Sequence, residues 1–327
     1  MVSLKNSKKC FLFKKWFVFI EAAIAAVVLV LAVLLFLGKS GGKTCKISVV
    51  VQDSNCSRWS AFKYGLKKAA EDQAVEMIAA STGESMTAEE QLHTINSEIE
   101  NGADALVIQP VPGLGKELLK KIPKKIPVML VDSMEAEHAG NPCVQPDHYA
   151  MGESLAKELL KDYNSNVKKK TFGIVTQSHD SQAVIDRDKG FQDALAGMGA
   201  KFSWSASLAW GMSLKDQAKV DFIIALDDRS LVAAGEASAA NNLHGALVYG
   251  IGNSTEAVYY LDMGTVECLV VPDEFNMGYQ SLTQAAKRLS HPFYKMQGMA
   301  VNYTVLRREE IFSEKNQELL FTMSQQY

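Results

Sequence analysis

The chain has 327 residues with a formal net charge of −3 at pH 7, and its length allows one large domain or two lobes of medium size. Seven of the 34 basic residues but only one of the 37 acidic residues lie within residues 1–45, which leaves 27 basic and 36 acidic residues and a net charge of −9 beyond them. Because an acidic surface repels phosphate backbones, this charge argues against nucleic acid as a partner.

A long apolar segment, residues 16–37, follows a basic N-terminus. It holds 22 residues with one charge, Glu21. As a helix that rises about 1.5 Å per residue it would reach roughly 33 Å, enough to cross the core of a bilayer. Five lysines and no acidic residue precede it. The positive-inside rule therefore places residues 1–15 in the cytoplasm and everything after residue 37 outside the cell.

We predict that this segment is kept as a single-pass anchor in the cell membrane. Its apolar core is longer than that of a cleavable signal, and the residues GKSGGK after it fit a small-residue cleavage site poorly. Cys45 follows Gly42-Lys43-Thr44, which does not match a lipid-anchor sequence. Residues 38–45 are then a flexible linker, and the sequence does not settle whether the anchor is cleaved.

Beyond the linker, apolar runs of strand length alternate with longer helical patterns in two cycles. The first cycle predicts strands at 46–51, 75–80, 104–109, 127–132 and 143–145, and helices at 57–73, 87–101, 115–121 and 147–163. The second cycle predicts strands at 171–176, 201–206, 221–226, 247–251 and 266–271, and helices at 181–197, 229–241, 255–263 and 275–289. A polar stretch, residues 161–170, separates the cycles.

Such alternation predicts an α/β fold of two lobes, each with a parallel sheet covered by helices on both faces, after one N-terminal transmembrane helix. Ligands of such folds bind beyond the carboxyl ends of the strands. The loops at those ends come from both lobes, so the predicted site is the cleft between the lobes.

The order of the motifs resembles the type I periplasmic binding proteins of ABC transporters, the ribose- and galactose-binding group. The resemblance runs from about residue 46 to about residue 306 and rests on KISVVVQDSNCSRWSAFKYGLKKAAED, ALVIQP, IPVMLVDS, PDHYAMGESLAKEL, VIDRDKGFQDALAGMG, VDFIIALDDRSLVAAGEA and VYGIGNSTEAVYYLDMG. It implies a chain that crosses between the lobes three times. The first lobe would be 46–146 plus 273–296 and the second 147–272 plus 297–327. Closure about that hinge would trap the ligand.

Sugar recognition needs aromatic faces that stack on the ring and charged or amide groups that pair with hydroxyls. The resemblance implies Trp59 and Trp210 as opposing aromatics, Asp132 as a hydroxyl-binding carboxylate and Asp227 as a further contact. A tryptophan after a strand can also fill the core, and Asp132 can also cap the next segment. The candidate ligand-binding residues are Asn55, Arg58, Trp59, Asp132, Gln177, Trp210, Asp227 and Asn253.

Several contacts of that group are absent from this chain. Its arginine after the aspartate falls at Ser133, and its sugar-gripping arginine falls at Ile185, with Arg187 nearby. Its aspartate in a later loop falls at Gly252. The ligand is therefore another sugar or polyol or a different small molecule, or else the pocket has lost the ability to bind a ligand.

No motif in the sequence indicates catalysis, since Walker, HExxH and CxxC patterns are absent. Cys45, Cys56, Cys143 and Cys268 are widely spaced and lack paired histidines, which disfavours a metal site. Cys143 and Cys268 fit as small apolar strand residues, and the sequence does not decide whether any pair forms a disulfide. We predict no enzyme, no cofactor and no metal.

These observations predict an extracytoplasmic solute-binding protein, anchored in the cell membrane, for a sugar or sugar-like small molecule. It would close on its ligand and deliver it to the permease of an ABC transporter. The alternative is a sensory co-receptor whose ligand-bound form is presented to a membrane histidine kinase. Neighbouring genes for a permease and an ATPase, or for a kinase and its regulator, would distinguish the two.

Overall fold

The computed structural model describes residues 21, 23–31, 44–83, 85–132, 141–164, 166–208 and 211–325. The chain divides into two compact units, Met1–Thr44 and Cys45–Tyr327. In the first unit, residues 21 and 23–31 are helical. The predicted cytoplasmic segment, 1–15, and most of the predicted anchor and linker lie outside the described residues. Among the helices that the structure describes, none has both the length and the apolar character needed to span a bilayer.

The second unit begins with a cycle of strands and helices that forms most of one lobe. Its elements are β1 (Lys46–Val50), a 3₁₀ turn (Ser57–Trp59), α1 (Ser60–Gln73), β2 (Glu76–Ala79), α2 (Ala88–Glu100), β3 (Ala105–Ile108), α3 (Lys116–Leu119), β4 (Val128–Val131) and β5 (Cys143–Pro146). The next cycle forms the other lobe. Its elements are α4 (His148–Asp162), β6 (Thr171–Thr176), α5 (Gln182–Ala194), β7 (Lys201–Ser207), β8 (Phe222–Ala225), α6 (Asp228–Ala239), β9 (Leu247–Ile251), α7 (Thr255–Asp262) and β10 (Cys268–Pro272).

The chain then returns to both lobes. The returning elements are α8 (Glu274–Ser290), β11 (Met299–Val301), β12 (Tyr303–Leu306) and α9 (Gln317–Met323). The strand order is β11-β5-β4-β3-β1-β2 in the first sheet and β12-β10-β9-β8-β6-β7 in the second. Every paired strand is parallel except β12, which runs antiparallel to β10. The prediction of two α/β lobes with parallel sheets is confirmed.

Central strands are buried on both faces, as parallel sheets require. All four residues of β3 and all four of β8 are buried, so each strand reads as a continuous apolar run rather than an alternating one. Helices cover both faces and form apolar clusters within each lobe, and one cluster of the second lobe also includes Ala61 of α1. Cys143 and Cys268 lie buried in β5 and β10, and no disulfide forms within the described residues.

Three crossovers link the lobes, at Pro146–His148, Pro272–Glu274 and residues 301–303. The third differs from the predicted boundary at residue 297, because β11 pairs with β5 in the first sheet before β12 enters the second. A hydrogen bond joins the second and third crossovers, since the backbone N–H of Asp273 donates to the carbonyl of Asn302 at 2.9 Å. The first lobe therefore extends to Val301.

Glycine pairs bring helices into close contact in both lobes. Gly65 of α1 faces Gly278 of α8, and a Cβ at either residue would overlap backbone of the opposite helix. Gly152 of α4 and Gly190 of α5 repeat this arrangement, and the carbonyl of Arg187 occupies the space where a Cβ of Gly152 would lie. This packing fixes the position of Arg187 relative to α4.

Candidate functional site

A cavity of about 340 Å³ lies between the lobes, at the carboxyl ends of the strands of both sheets. The first lobe contributes Gln52, Asp53, Cys56, Ser57, Arg58, Gln109, Pro110, Pro112, Asp132 and Glu274. The second contributes Gln177, Ser178, Ser181, Ala183, Val184, Arg187, Asp227, Asp228, Arg229, Val232, Ile251, Gly252, Asn253, Ser254, Glu256 and Pro272. The cavity is of the size of a small-molecule site; most of its lining residues are polar or charged, although more of its exposed wall is apolar than polar.

Asp132 is the centre of the charged groups in this cavity. It follows β4 with φ +65°, a left-handed conformation that aspartate tolerates better than most residues. Its Oδ2 accepts hydrogen bonds from Arg58 Nη2 at 3.2 Å and from Gln109 Nε2 at 2.8 Å, and its Oδ1 lies 3.8 Å from Arg187 Nη2. Burial alone would raise the pKa of Asp132, but Arg58 and Arg187 outweigh it and hold that pKa below its ordinary value.

Arg58 lies between Asp132 and the ring of Trp59. Its guanidinium carbon is 4.1 Å from the Trp59 ring centroid, a cation–π contact. Trp59 itself has no exposed surface, packs against Phe62 and donates its indole N–H to the carbonyl of Gln52 at 2.9 Å. Arg58 Nε is buried and has no hydrogen-bond partner among the described residues. The arginine, rather than the tryptophan, faces the cavity.

His148 and Arg187 join the second lobe to Asp132. Arg187 donates from Nε to His148 Nδ1 at 3.1 Å and from Nη1 to the carbonyl of Leu226 at 2.9 Å. The Nε2 of His148 is hydrogen-bonded to the backbone carbonyl of Asp132. Since Nδ1 accepts from Arg187, these bonds require a neutral imidazole with its proton on Nε2. Burial and the charge of Arg187 lower the pKa of His148 to about 4.

Two aspartates at the start of α6 accept hydrogen bonds from backbone N–H groups. Asp227 caps the helix by accepting from Ser230 N, and its Oδ2 also accepts from Thr176 Oγ1 and Gln177 N. Asp228 Oδ1 accepts from the N–H groups of Asn253 and Ser254, both at 2.8 Å. Burial raises the pKa of Asp228 although these hydrogen bonds oppose it. Both carboxylates therefore shape the second-lobe loops.

Two hydrogen bonds cross the mouth of the cleft directly. Asn253 Nδ2 donates to the carbonyl of Arg58 at 2.8 Å, and Ser57 Oγ donates to Glu256 Oε2 at 2.8 Å. Ser57 and Arg58 lie in the 3₁₀ turn after β1, Asn253 lies in the loop after β9, and Glu256 lies in the first turn of α7. The lobes are thus in direct polar contact through the strand ends that line the cavity.

Glu274 lies at the inner end of the cleft, directly after the second crossover. It is 3% exposed, and its Oε2 has no hydrogen-bond partner among the described residues. Burial, reinforced by the charge of Asp132, raises the pKa of Glu274 well above its ordinary value, while Arg58 and Arg187 act in the opposite direction.

The structure brings five of the eight predicted site residues to the cavity wall: Arg58, Asp132, Gln177, Asp227 and Asn253. Asn55 is exposed and does not line it. We expected Trp59 to stack on the ligand, but its ring lies in the core beneath Arg58. Asp227 lines the cavity, but its oxygens cap α6 and bind the loop after β6. Trp210 lies outside the described residues.

Four further residues of the site were not proposed from the sequence: Gln109, His148, Arg187 and Glu274. Gln109 follows β3, so the rule that ligands bind beyond strand ends could have identified it. The family's sugar-gripping arginine falls at Ile185, which is exposed in this structure. Arg187 lies two residues further along the chain. His148 and Glu274 begin helices after crossovers, and no sequence pattern marks them. Within the described ranges, no group of His, Cys, Asp and Glu side chains is arranged to hold a metal ion.

Comparisons with known proteins extend these observations. A family model described as periplasmic binding protein domain matches residues 47–292. No curated protein matches the chain. A carbohydrate transporter solute-binding protein from Agrobacterium radiobacter, solved with D-arabinose, has 19% identity and a TM-score of 0.74 over 85% of this chain and 99% of that one.

Two other solved structures are similar over most of their length. GanP, a glucose-galactose binding protein from Geobacillus stearothermophilus, has 19% identity and a TM-score of 0.69 over 83% of this chain and all of that one. A structure described as the XylFII–LytSN complex has 15% identity and a TM-score of 0.69 over 82% of this chain and 99% of that one. At these identities the likeness establishes the fold.

Proposed function

This chain belongs to the periplasmic binding protein domain family, and we propose that it is an extracytoplasmic solute-binding protein for a sugar or sugar-like small molecule. On this proposal the lobes close over the ligand and the protein makes and breaks no covalent bonds. The observation that carries the proposal is the cavity of about 340 Å³, to which both lobes contribute polar and charged side chains at the carboxyl ends of their strands.

The chemistry of the cavity suits a ligand rich in hydroxyl groups. Arg58, Gln109, Asp132 and Arg187 offer charged and amide groups, which form the stronger hydrogen bonds to hydroxyls. Structural neighbours solved with D-arabinose and described as glucose- and galactose-binding support the same ligand class. No aromatic residue is among the described residues of the wall, and Trp210 lies outside the described residues.

Delivery to an ABC permease is the partner role that we favour, because it is the role of the neighbour described as a carbohydrate transporter solute-binding protein. The alternative, a sensory co-receptor for a membrane histidine kinase, is favoured by a different neighbour, which was solved in complex with a second protein. Deletion of the gene separates them: loss of uptake of the ligand supports delivery, whereas normal uptake with loss of ligand-induced transcription supports sensing.

We further propose that residues 16–37 anchor the protein in the cell membrane, with the N-terminus in the cytoplasm. The support is the apolar sequence and the lysines before it. Alkaline carbonate extraction of membranes tests the anchor: the protein should stay in the pellet. Its release into the supernatant would contradict the anchor without affecting the binding proposal.

Isothermal titration of the full chain against a panel of pentoses, hexoses and polyols tests the binding function. We expect one member to bind with one-to-one stoichiometry, and the substitution Asp132→Asn to weaken that binding at least tenfold, since it removes the charge on which Arg58 and Arg187 converge. The substitution Asp72→Asn, on the exposed end of α1, is the control and should leave the affinity unchanged. No binding by any panel member would contradict the proposal.

A further inference from the structure

Glu274 is a buried carboxyl group with unused hydrogen-bonding capacity inside the cavity. The residue lines the wall and is 3% exposed. Its Oε2 has no partner among the described residues, whereas both oxygens of Asp227 accept from Ser230, Thr176 or Gln177. Since a buried polar atom without a partner lacks the hydrogen bonds that water would supply, a ligand that donates a hydrogen bond there would recover that loss.

The same wall holds an unused donor. Arg58 Nε is buried and has no partner among the described residues, although Arg58 Nη2 binds Asp132. With Glu274 ionised, a ligand that satisfies both atoms accepts a hydrogen bond from Arg58 and donates one to Glu274. A hydroxyl next to an amino group presents these two functions side by side.

The charges of the wall favour a cationic donor at Glu274. Six carboxyl groups line the cavity, against three guanidinium groups: Asp53, Asp132, Asp227, Asp228, Glu256 and Glu274, with Arg58, Arg187 and Arg229. Asp132 contacts two of the three arginines. Carboxyl groups thus outnumber guanidinium groups in this wall, and a positive charge on the ligand would interact favourably with those carboxyl groups that are ionised.

We propose that Glu274 is a ligand-binding residue and that the ligand is a polyhydroxylated amine whose ammonium group, next to a hydroxyl, donates to Glu274. This rests on the proposed solute-binding function and narrows its ligand class from sugars and polyols in general to amino sugars and amino polyols. Glu274 then determines specificity, because it distinguishes an ammonium from the hydroxyl in the same position of the parent compound.

The surroundings of Glu274 agree with this assignment. The charges of Asp132 and Asp228 raise its pKa, and those of Arg58 and Arg187 lower it. Burial and the nearby carboxylates disfavour its charged form, which costs free energy in proportion to the shift. An ammonium group at Oε2 would stabilise the carboxylate.

Matched amine and hydroxyl compounds test the proposal on the full chain by isothermal titration. The pairs are D-glucosamine, D-galactosamine and D-mannosamine, each with its parent hexose, and 1-amino-1-deoxy-D-glucitol with D-glucitol. We expect at least one amine to bind about tenfold or more tightly than its parent, the scale of a charge-assisted hydrogen bond. The substitution Glu274→Gln should remove that preference, and Glu236→Gln, on the exposed face of α6, should retain it.

The possible outcomes distinguish a failure of this inference from a failure of the proposed solute-binding function. If members of these pairs bind but no amine binds more tightly than its parent, the inference is wrong and the solute-binding function stands. If Glu274→Gln folds and keeps the full preference, Glu274 is not the contact. If neither members of these pairs nor the wider sugar panel bind, both are wrong. The comparison within wild-type protein does not depend on any variant folding.

Discussion

His148 is held neutral by the bonds that position it. Its Nδ1 accepts from Arg187 Nε while its Nε2 is bonded to the carbonyl of Asp132, so one imidazole links the two lobes at the first crossover. A second proton on the ring would place a donor at Nδ1 against the Arg187 donor. This conflict, together with burial, is why the pKa of His148 falls to about 4.

Acid should therefore weaken the protein through His148. An unfolded histidine takes up a proton near pH 6.5 and the folded one only near pH 4, so the unfolded state binds more protons between these values. The free energy of unfolding should fall as pH drops across this window, by about 3 kcal/mol for the His148 part at about 1.36 kcal/mol per unit. Urea titrations at the two ends of the window measure it.

The substitution His148→Gln isolates this contribution, because glutamine offers one acceptor and one donor but does not titrate. The difference between wild type and variant is the quantity to compare, since the raised pKa of Glu274 acts in the opposite direction and favours the folded state at lower pH. An equal pH dependence of unfolding in both proteins would contradict the assigned role of His148.

Trp59 is a core residue that supports Arg58, so its loss should show in stability. The ring has no exposed surface and packs against Phe62. The substitution Trp59→Ala should lower the free energy of unfolding by about 3–5 kcal/mol, and Trp59→Phe by much less because a ring remains. Chemical denaturation measures both. If Trp59→Ala instead left stability unchanged and abolished ligand binding, the stacking role expected from the sequence would be correct.

At the scale of elements, each lobe depends on a pair of helices that meet through glycines. The α4–α5 pair has a functional consequence, because the carbonyl of Arg187 lies over Gly152 and the side chain of Arg187 reaches Asp132. A methyl group at residue 152 would push α5 outward and carry Arg187 with it. Helix packing is thereby coupled to the charged centre of the cleft.

The substitution Gly152→Ala should destabilise the protein by about 1–3 kcal/mol through overpacking, and it should also weaken ligand binding. Thermal unfolding and titration with the bound panel member measure the two effects. Gly83→Ala is the matched control, since a Cβ there would come no closer than 3.8 Å to the carbonyl of Ser85. Equal stability of both variants would contradict the close helix contact.

The alternation of elements up to residue 289 could be predicted from sequence because buried parallel strands are continuous apolar runs. The strand predicted at residues 221–226, DFIIAL, agrees with β8 to within a residue at each end. The last three elements, β11, β12 and α9, are not predicted by the sequence. β11 and β12 have only three and four residues, and α9 has seven, too short for a periodic pattern to distinguish them from loops. Because the sequence does not predict β11, it places the third crossover at residue 297 instead of residues 301–303.

The site was predictable only as far as strand ends determine it. Asp132, Gln177 and Asn253 follow β4, β6 and β9, and all three line the cavity. Trp59 shares a loop with Arg58, and nothing in the local sequence says which side chain turns inward. Glu274 enters the cavity through a crossover that brings it opposite Arg187 and Asp228, a relation that only the tertiary fold creates.

For the whole molecule, function depends on contacts that join two lobes with separate cores. Asn253 and Glu256 of one lobe bind Arg58 and Ser57 of the other, while Asp132, His148 and Arg187 connect them deeper in the cleft. Such contacts can break and reform as a hinge moves, without unfolding either core. A ligand that touches both walls would shift this equilibrium toward the closed arrangement.

Hydrogen-exchange mass spectrometry of the full chain, with and without the sugar or amino sugar that binds, tests the claim that two lobes close on a solute. We predict slower exchange in segments of both lobes together, in the loop of residues 52–59 and in residues 227–229 and 252–256. Protection confined to one lobe, or none despite saturating ligand, would contradict closure around a ligand in the cleft.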